Sequence, residues 1–130
     1  MSEDDLPDAR QVIDIHDRIE KQYDLKYTGA AVAAPRLKIE RLLNGVAEHD
    51  GTYMRAAALL RDLITSHYFE DANKRTAWTV TNIYLKNHDA EPAVTDDRVP
   101  HILKRIRRFD VDEIADWLAT GEIDEDRLEP

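Results

Sequence analysis

The chain has no cysteine, which rules out a disulfide framework, a thiol nucleophile and a zinc centre built on sulfur. No apolar run approaches the roughly 18 residues of a membrane span. The opening Met1-Ser2-Glu3-Asp4-Asp5 is acidic where a secretory leader is basic and then apolar. No membrane role is expected, and the cytoplasm is the expected compartment. Cations are in deficit, with 18 Lys and Arg against 27 Asp and Glu and a net charge of −9. Direct nucleic-acid binding depends on Lys and Arg against phosphates, so it is not expected either. The acids are skewed toward Asp and Lys is scarce beside Arg. Such a surface suits high salt, which screens its self-repulsion, and a halophilic source is the expectation.

What is present is helical patterning along 130 residues, enough for one domain with a buried core. A first helix is predicted from Leu6 to about Asp24, with Pro7 in its first turn and Val12, Ile15, Ile19 and Tyr23 on one stripe. Residues Leu25 to Ala34, with Gly29, read as a loop. Pro35 opens a second helix carrying Leu37, Ile39, Leu42, Leu43 and Val46. After the turn Glu48-His49-Asp50-Gly51, Thr52 is a candidate N-cap for a third helix, Tyr53 to about Ser66. A fourth, Asn73 to Asn87, is apolar nearly all round, with Trp78, Ile83, Tyr84 and Leu85 expected in the core. Asp96 or Asp97 caps a fifth helix ending near Arg108. Asp110 and Glu113 form a capping box for a sixth, Val111 to Ala119, stopped by Gly121. The acidic tail, 122–130, is expected to fray as a flexible end. With no strand, repeat or linker, the prediction is a single all-α domain over 1–121. It is a six-helix bundle whose central buried helix follows the turn at 67–75.

That turn reads His67-Tyr68-Phe69-Glu70-Asp71-Ala72-Asn73-Lys74-Arg75. It sets a histidine, acids, an amide and two cations just ahead of an apolar helix. A helix start offers unpaired N–H groups and a partial positive charge, which suits phosphate. Cations placed there oppose the dipole by about 0.3–1 kcal/mol each, a local mismatch that an arriving anion relieves. A base four residues from a carboxylate, beside such a site, points to phosphate chemistry on a hydroxyl.

The same nine residues resemble the Fic/Doc family pattern, His-x-Phe-x-Asp/Glu-Gly/Ala-Asn-Gly/Lys-Arg. Lys74 in place of glycine, with Ala72 and Thr76-Ala77, makes the resemblance closest to its Doc-type members. Ile15-His16-Asp17, Tyr23, Gly29, the helix from Arg36 to Val46 and Ile114-Ala115-Asp116-Trp117-Leu118 extend the likeness to about residues 11–119. The resemblance implies a helical bundle that transfers a phosphate-containing group from ATP to a protein hydroxyl with Mg²⁺. For Doc-type members it implies a kinase acting on a Ser/Thr hydroxyl of elongation factor Tu, which arrests translation and is restrained by a separate antitoxin. Members with glycine in the motif usually transfer AMP instead, and that alternative stays open. So does a third, a catalytically inactive domain that only binds or regulates.

Under this resemblance His67 is the general base, since an unperturbed imidazole is largely neutral near pH 7. Asp71 is the Mg²⁺ ligand, although an Asp at this place is also a common N-cap. Asn73, Lys74 and Arg75 hold phosphate, Arg as a two-pronged donor and Lys as a compact charge. Phe69 and Ala72 are structural supports of the motif, and Tyr68 is expected near the mouth. Trp78 stands where AMP-transferring members carry a second arginine. Thr79 stands where Doc-type members carry Asn, with Asn82 one turn further, and both are candidates for the nucleotide's edge. No Ser/Thr-x-x-x-Glu-Gly/Asn self-inhibitory signature occurs, which fits restraint by another protein. The cluster Lys104-Arg105-Ile106-Arg107-Arg108 is read as a solvated face able to pair with the acidic tail, or as a dock for an acidic antitoxin segment or the substrate. His16, His49, His88 and His101 lack metal-ligand spacing and are read as structural or solvent-facing.

Overall fold

Capping boxes set the first and last of six α-helices in the computed structural model, which describes residues 6–129; the acidic start at 1–5 and Pro130 lie outside them. Helix α1 (Ala9–Tyr23) begins at Asp8. The Asp8 carboxylate accepts the Gln11 N–H, and the Gln11 side chain accepts the Asp8 N–H, each at 2.8 Å. This capping box starts the helix beyond Pro7, which the sequence reading placed in its first turn. Helix α2 (Pro35–Val46) has proline at its first position, where the missing N–H costs nothing. Helix α3 (Thr52–Ser66) is preceded by Gly51 with φ +93°, so Thr52 is its first residue and not its cap. Helix α4 (Asn73–Asn87) has the predicted span. Helix α5 (Arg98–Lys104) is shorter than predicted, because the chain tightens after Arg105 into a 3-10 turn, Ile106–Arg108. Helix α6 (Val111–Thr120) has the expected Asp110–Glu113 capping box and ends on Gly121 with φ +82°. Among the described residues there is no strand, and no helix is long and apolar enough to cross a membrane.

The centre of the bundle is α3, which packs on α2, α4 and α6. Its run Ala56-Ala57-Ala58-Leu59-Leu60 is fully buried. Three alanines let neighbouring axes approach, and the leucines fill the space between them. Helix α4 lies against α3 and α1. It buries Thr76, Ala77, Val80, Thr81, Tyr84 and Leu85. Its apolar character does not extend to burial all round. Trp78 is half-buried, and Ile83 is 43% exposed beside a groove shared with α1, so its expected place in the core is corrected. Tyr23 and Leu37 are likewise exposed.

The acidic tail folds into a 3-10 turn, Glu125–Leu128. Arg127 binds the Glu113 carboxylate, and Arg108 donates to the carbonyls of Arg127 and Glu129. The Arg127 guanidinium and the Asp110 N–H hold the Glu113 carboxyl below its ordinary value.

Gly121 also fixes the segment leading into α5. The Ala93 N–H donates to the Leu118 carbonyl at 2.8 Å, and a Cβ at 121 would lie 2.7 Å from Val94 Cγ2. Gly121→Ala adds left-handed strain to that clash. It is expected to destabilise the fold by about 2 kcal/mol or more, and scanning calorimetry should show Tm lowered by roughly 6 °C or more.

Candidate functional site

The motif loop hangs between two left-handed corners. His67 closes α3 with φ +49°, and Ala72 precedes α4 with φ +63°. Each such corner in a residue with a Cβ costs about 1–2 kcal/mol, so the surroundings must hold it. Phe69 is buried under the loop with its ring stacked on His16 at 3.7 Å and 9°. The loop backbone pairs with residues 29–31: Ala31 N–H to Tyr68 O at 2.8 Å and Glu70 N–H to Gly29 O at 3.0 Å. Asn73 grips Phe69 from the other side, its Nδ2 donating to the Phe69 carbonyl at 2.8 Å and its Oδ1 accepting the Phe69 N–H at 3.2 Å.

A cavity of about 890 Å³ opens over this loop. One wall is the motif, with His67, Glu70, Asp71, Asn73, Lys74 and Arg75. The floor is apolar, from Ile64, Trp78, Val99 and Leu103, and the facing wall brings Thr95, Asp96, Lys104 and Arg107. No side chain caps the N-terminus of α4 at the motif wall, as is also true of α2, α3 and α5, whereas α1 and α6 are each closed by an aspartate. The first amides and the dipole of α4 are thus left to whatever enters the cavity. Lys74 and Arg75 are both exposed there. The Arg75 guanidinium lies 4.1 Å from the centroid of the Tyr23 ring, which steadies it without cancelling its charge.

Asp71 is not the N-cap of α4; that position belongs to Ala72. The exposed Asp71 carboxylate accepts the Ala72 N–H through Oδ1 at 2.6 Å and keeps Oδ2 open. One such carboxylate, completed by substrate phosphates and water, is what Mg²⁺ prefers, so the donor set at Asp71 fits that ion.

Six expected residues therefore meet at the cavity: His67, Asp71, Ala72, Asn73, Lys74 and Arg75. The Asn73 amide clamps the Phe69 backbone through Nδ2 and Oδ1, which leaves one Nδ2 hydrogen for anything in the cavity. Two expectations change. Thr79 is half-buried outside the lining. Asn82 is also outside it, donating to the Trp78 carbonyl of its own helix at 2.8 Å. Asn82 sits about 10 Å along the axis from Arg75, too far to share the same mouth.

Glu70, Thr95 and Asp96 were not anticipated. Asp96 is held below its ordinary carboxylate value by hydrogen bonds from Arg98. The basic cluster divides: Lys104 and Arg107 reach the cavity, Arg107 also donating to the Thr65 carbonyl at 3.1 Å, while Arg108 secures the tail. His16 is structural, as expected, but it touches the motif from below.

The model of the Fic/DOC family matches residues 6–85, which takes in the whole loop and nearly all of α4. Toxin Doc of Mycolicibacterium smegmatis is 33% identical over 103 residues, spanning 76% of this chain and 76% of that protein. No solved structure matches.

Proposed function

The chain belongs to the Fic/Doc family, and from that premise we propose that it is a Doc-type toxin acting in the cytoplasm as a protein kinase. It transfers the terminal phosphate of ATP to a Ser/Thr hydroxyl of an elongation factor resembling Tu, arresting translation until a separate antitoxin restrains it. The observation that supports this reading best is the single cavity wall on which His67, Asp71, Lys74 and Arg75 meet at the uncapped start of α4. Lys74, where AMP-transferring relatives have glycine, favours terminal phosphate transfer.

In this reading the triphosphate lies over the α4 N-terminus, met by first-turn amides, Lys74 and Arg75. Asp71 would hold Mg²⁺, which neutralises phosphate charge. His67 takes the proton of the acceptor hydroxyl as its oxygen bonds to the γ-phosphorus. The bond from that phosphorus to the β–γ bridging oxygen breaks, and ADP departs with the electron pair. The cations and amides stabilise charge that grows on the phosphate oxygens. The apolar floor gives the nucleoside a dry surface.

Incubation with ATP labelled separately at the α and γ positions tests the reaction. Label from γ on the acceptor protein is the expected outcome. Label from α would replace the kinase by an AMP transferase.

A further inference from the structure

Helix α1 holds the motif loop from beneath, outside the cavity. His16 is 1% exposed, and its Nε2 lies 3.0 Å from the Asp71 carbonyl oxygen. That oxygen only accepts, so Nε2 carries a proton. The N–H of the same peptide, contributed by Ala72, is bound by the Asp71 carboxylate. His16 therefore grips one edge of a rigid peptide plane whose other edge orients the Asp71 side chain. The stack on Phe69 fixes the imidazole itself. One turn on, Glu20 accepts the Gly29 N–H, and Gly29 in turn accepts the Glu70 N–H. Asp17 and Glu20 approach His16 to 3.8 and 3.9 Å. His16, Asp17 and Glu20 place ligand atoms within 4.8 Å of one another, with Nε2 engaged by the Asp71 carbonyl and Glu20 Oε2 by the Gly29 N–H.

We propose that His16 is a positioning residue of the transfer reaction, setting the Asp71 carboxylate through the Asp71–Ala72 peptide. The inference rests on the reading above that Asp71 serves the cation of bound ATP. A planar ring that stacks on one face and donates at its tip does both tasks, and neither phenylalanine nor glutamine does so alone.

Two variants and one spectrum test it. Nitrogen-resolved NMR of the wild-type imidazole should show Nε2 protonated and its proton protected from exchange. His16→Phe keeps the stack and removes the donor. It should lower kcat about 10- to 100-fold and weaken Mn²⁺ binding, measured with a non-hydrolysable ATP analogue, by a similar factor, with the acceptor KM unchanged. His16→Gln, which restores an N–H near Nε2, should recover most of both. An unprotonated Nε2, a folded His16→Phe within twofold of wild type, or equal deficits in the two variants would overturn the proposal. If neither variant folds, the wild-type spectrum decides. A wild-type protein that shows the expected spectrum and transfers no γ-phosphate, while His16→Phe still weakens Mn²⁺ binding, would sink the kinase reading and leave standing the role of His16 in setting the Asp71 carboxylate.

Discussion

His67→Ala is expected to abolish growth arrest on induced expression and to lower phosphate transfer by about 10²- to 10⁴-fold, the usual contribution of a positioned base. The fold should survive. His67 is exposed at the end of α3, and alanine meets the same left-handed backbone cost there. Melting curves of the two proteins should nearly coincide, so lost activity cannot be blamed on unfolding. A variant as toxic as wild type would instead favour a domain that acts by binding alone. Mass analysis of translation factors from the same cells gives the acceptor: one added phosphate in wild type and none in the variant.

Lys74→Ala should move stability and activity in opposite directions. Without ligand, the lysine faces an uncapped helix start of its own sign and makes no ion pair among the described residues. Its removal should therefore stabilise the free protein by about 0.3–1 kcal/mol, a rise in Tm of roughly 1–4 °C. ATP affinity should fall about 10- to 100-fold, the value of a hydrogen bond to a charged group, and stabilisation by added ATP should shrink accordingly. Arg75→Ala should share the loss of affinity but not the gain in Tm, because it also gives up the stack on Tyr23. Thermal melts with and without ATP separate the two contributions. A lysine variant less stable than wild type without nucleotide would show that the dipole argument is wrong.

The sequence was most legible where structure is local. Pro35, the Asp110–Glu113 pair and Gly121 act within one helical turn, so the ends they mark were recovered. His67, Asp71, Lys74 and Arg75, all within nine residues, reach one cavity because a single loop and helix start carry them. The α1 start was misread because Pro7 and Asp8 are both good opening signals and the Gln11 reciprocal bond decides between them. Helix α5 is shorter than its sequence predicts because Val99, Ile102, Leu103 and Ile106 keep helical spacing through the tighter turn at Ile106–Arg108. What sequence spacing does not carry is the far wall. Thr95, Asp96, Lys104 and Arg107 come to the cavity only through the packing of α5, and His16 reaches Asp71 across 55 positions. The basic cluster and the Ile15-His16-Asp17 likeness were the available signals. Neither told which residues would turn toward the loop.

The imidazole at 67 follows the last residue of α3, the helix on which α2, α4, α6 and the turn Ile106–Arg108 pack. Its aim is inherited from the interior: a bulkier or smaller neighbour beside Ala57 or Leu60 is expected to shift the helix and, with it, the imidazole proposed as the base. Tightly packed matter passes such displacements on, and a shift of 1 Å in a reacting group can cost about a hundredfold in rate. Under the proposed role of His67, a core substitution far from the motif is therefore expected to lower activity, because one helix carries both the packing and the imidazole.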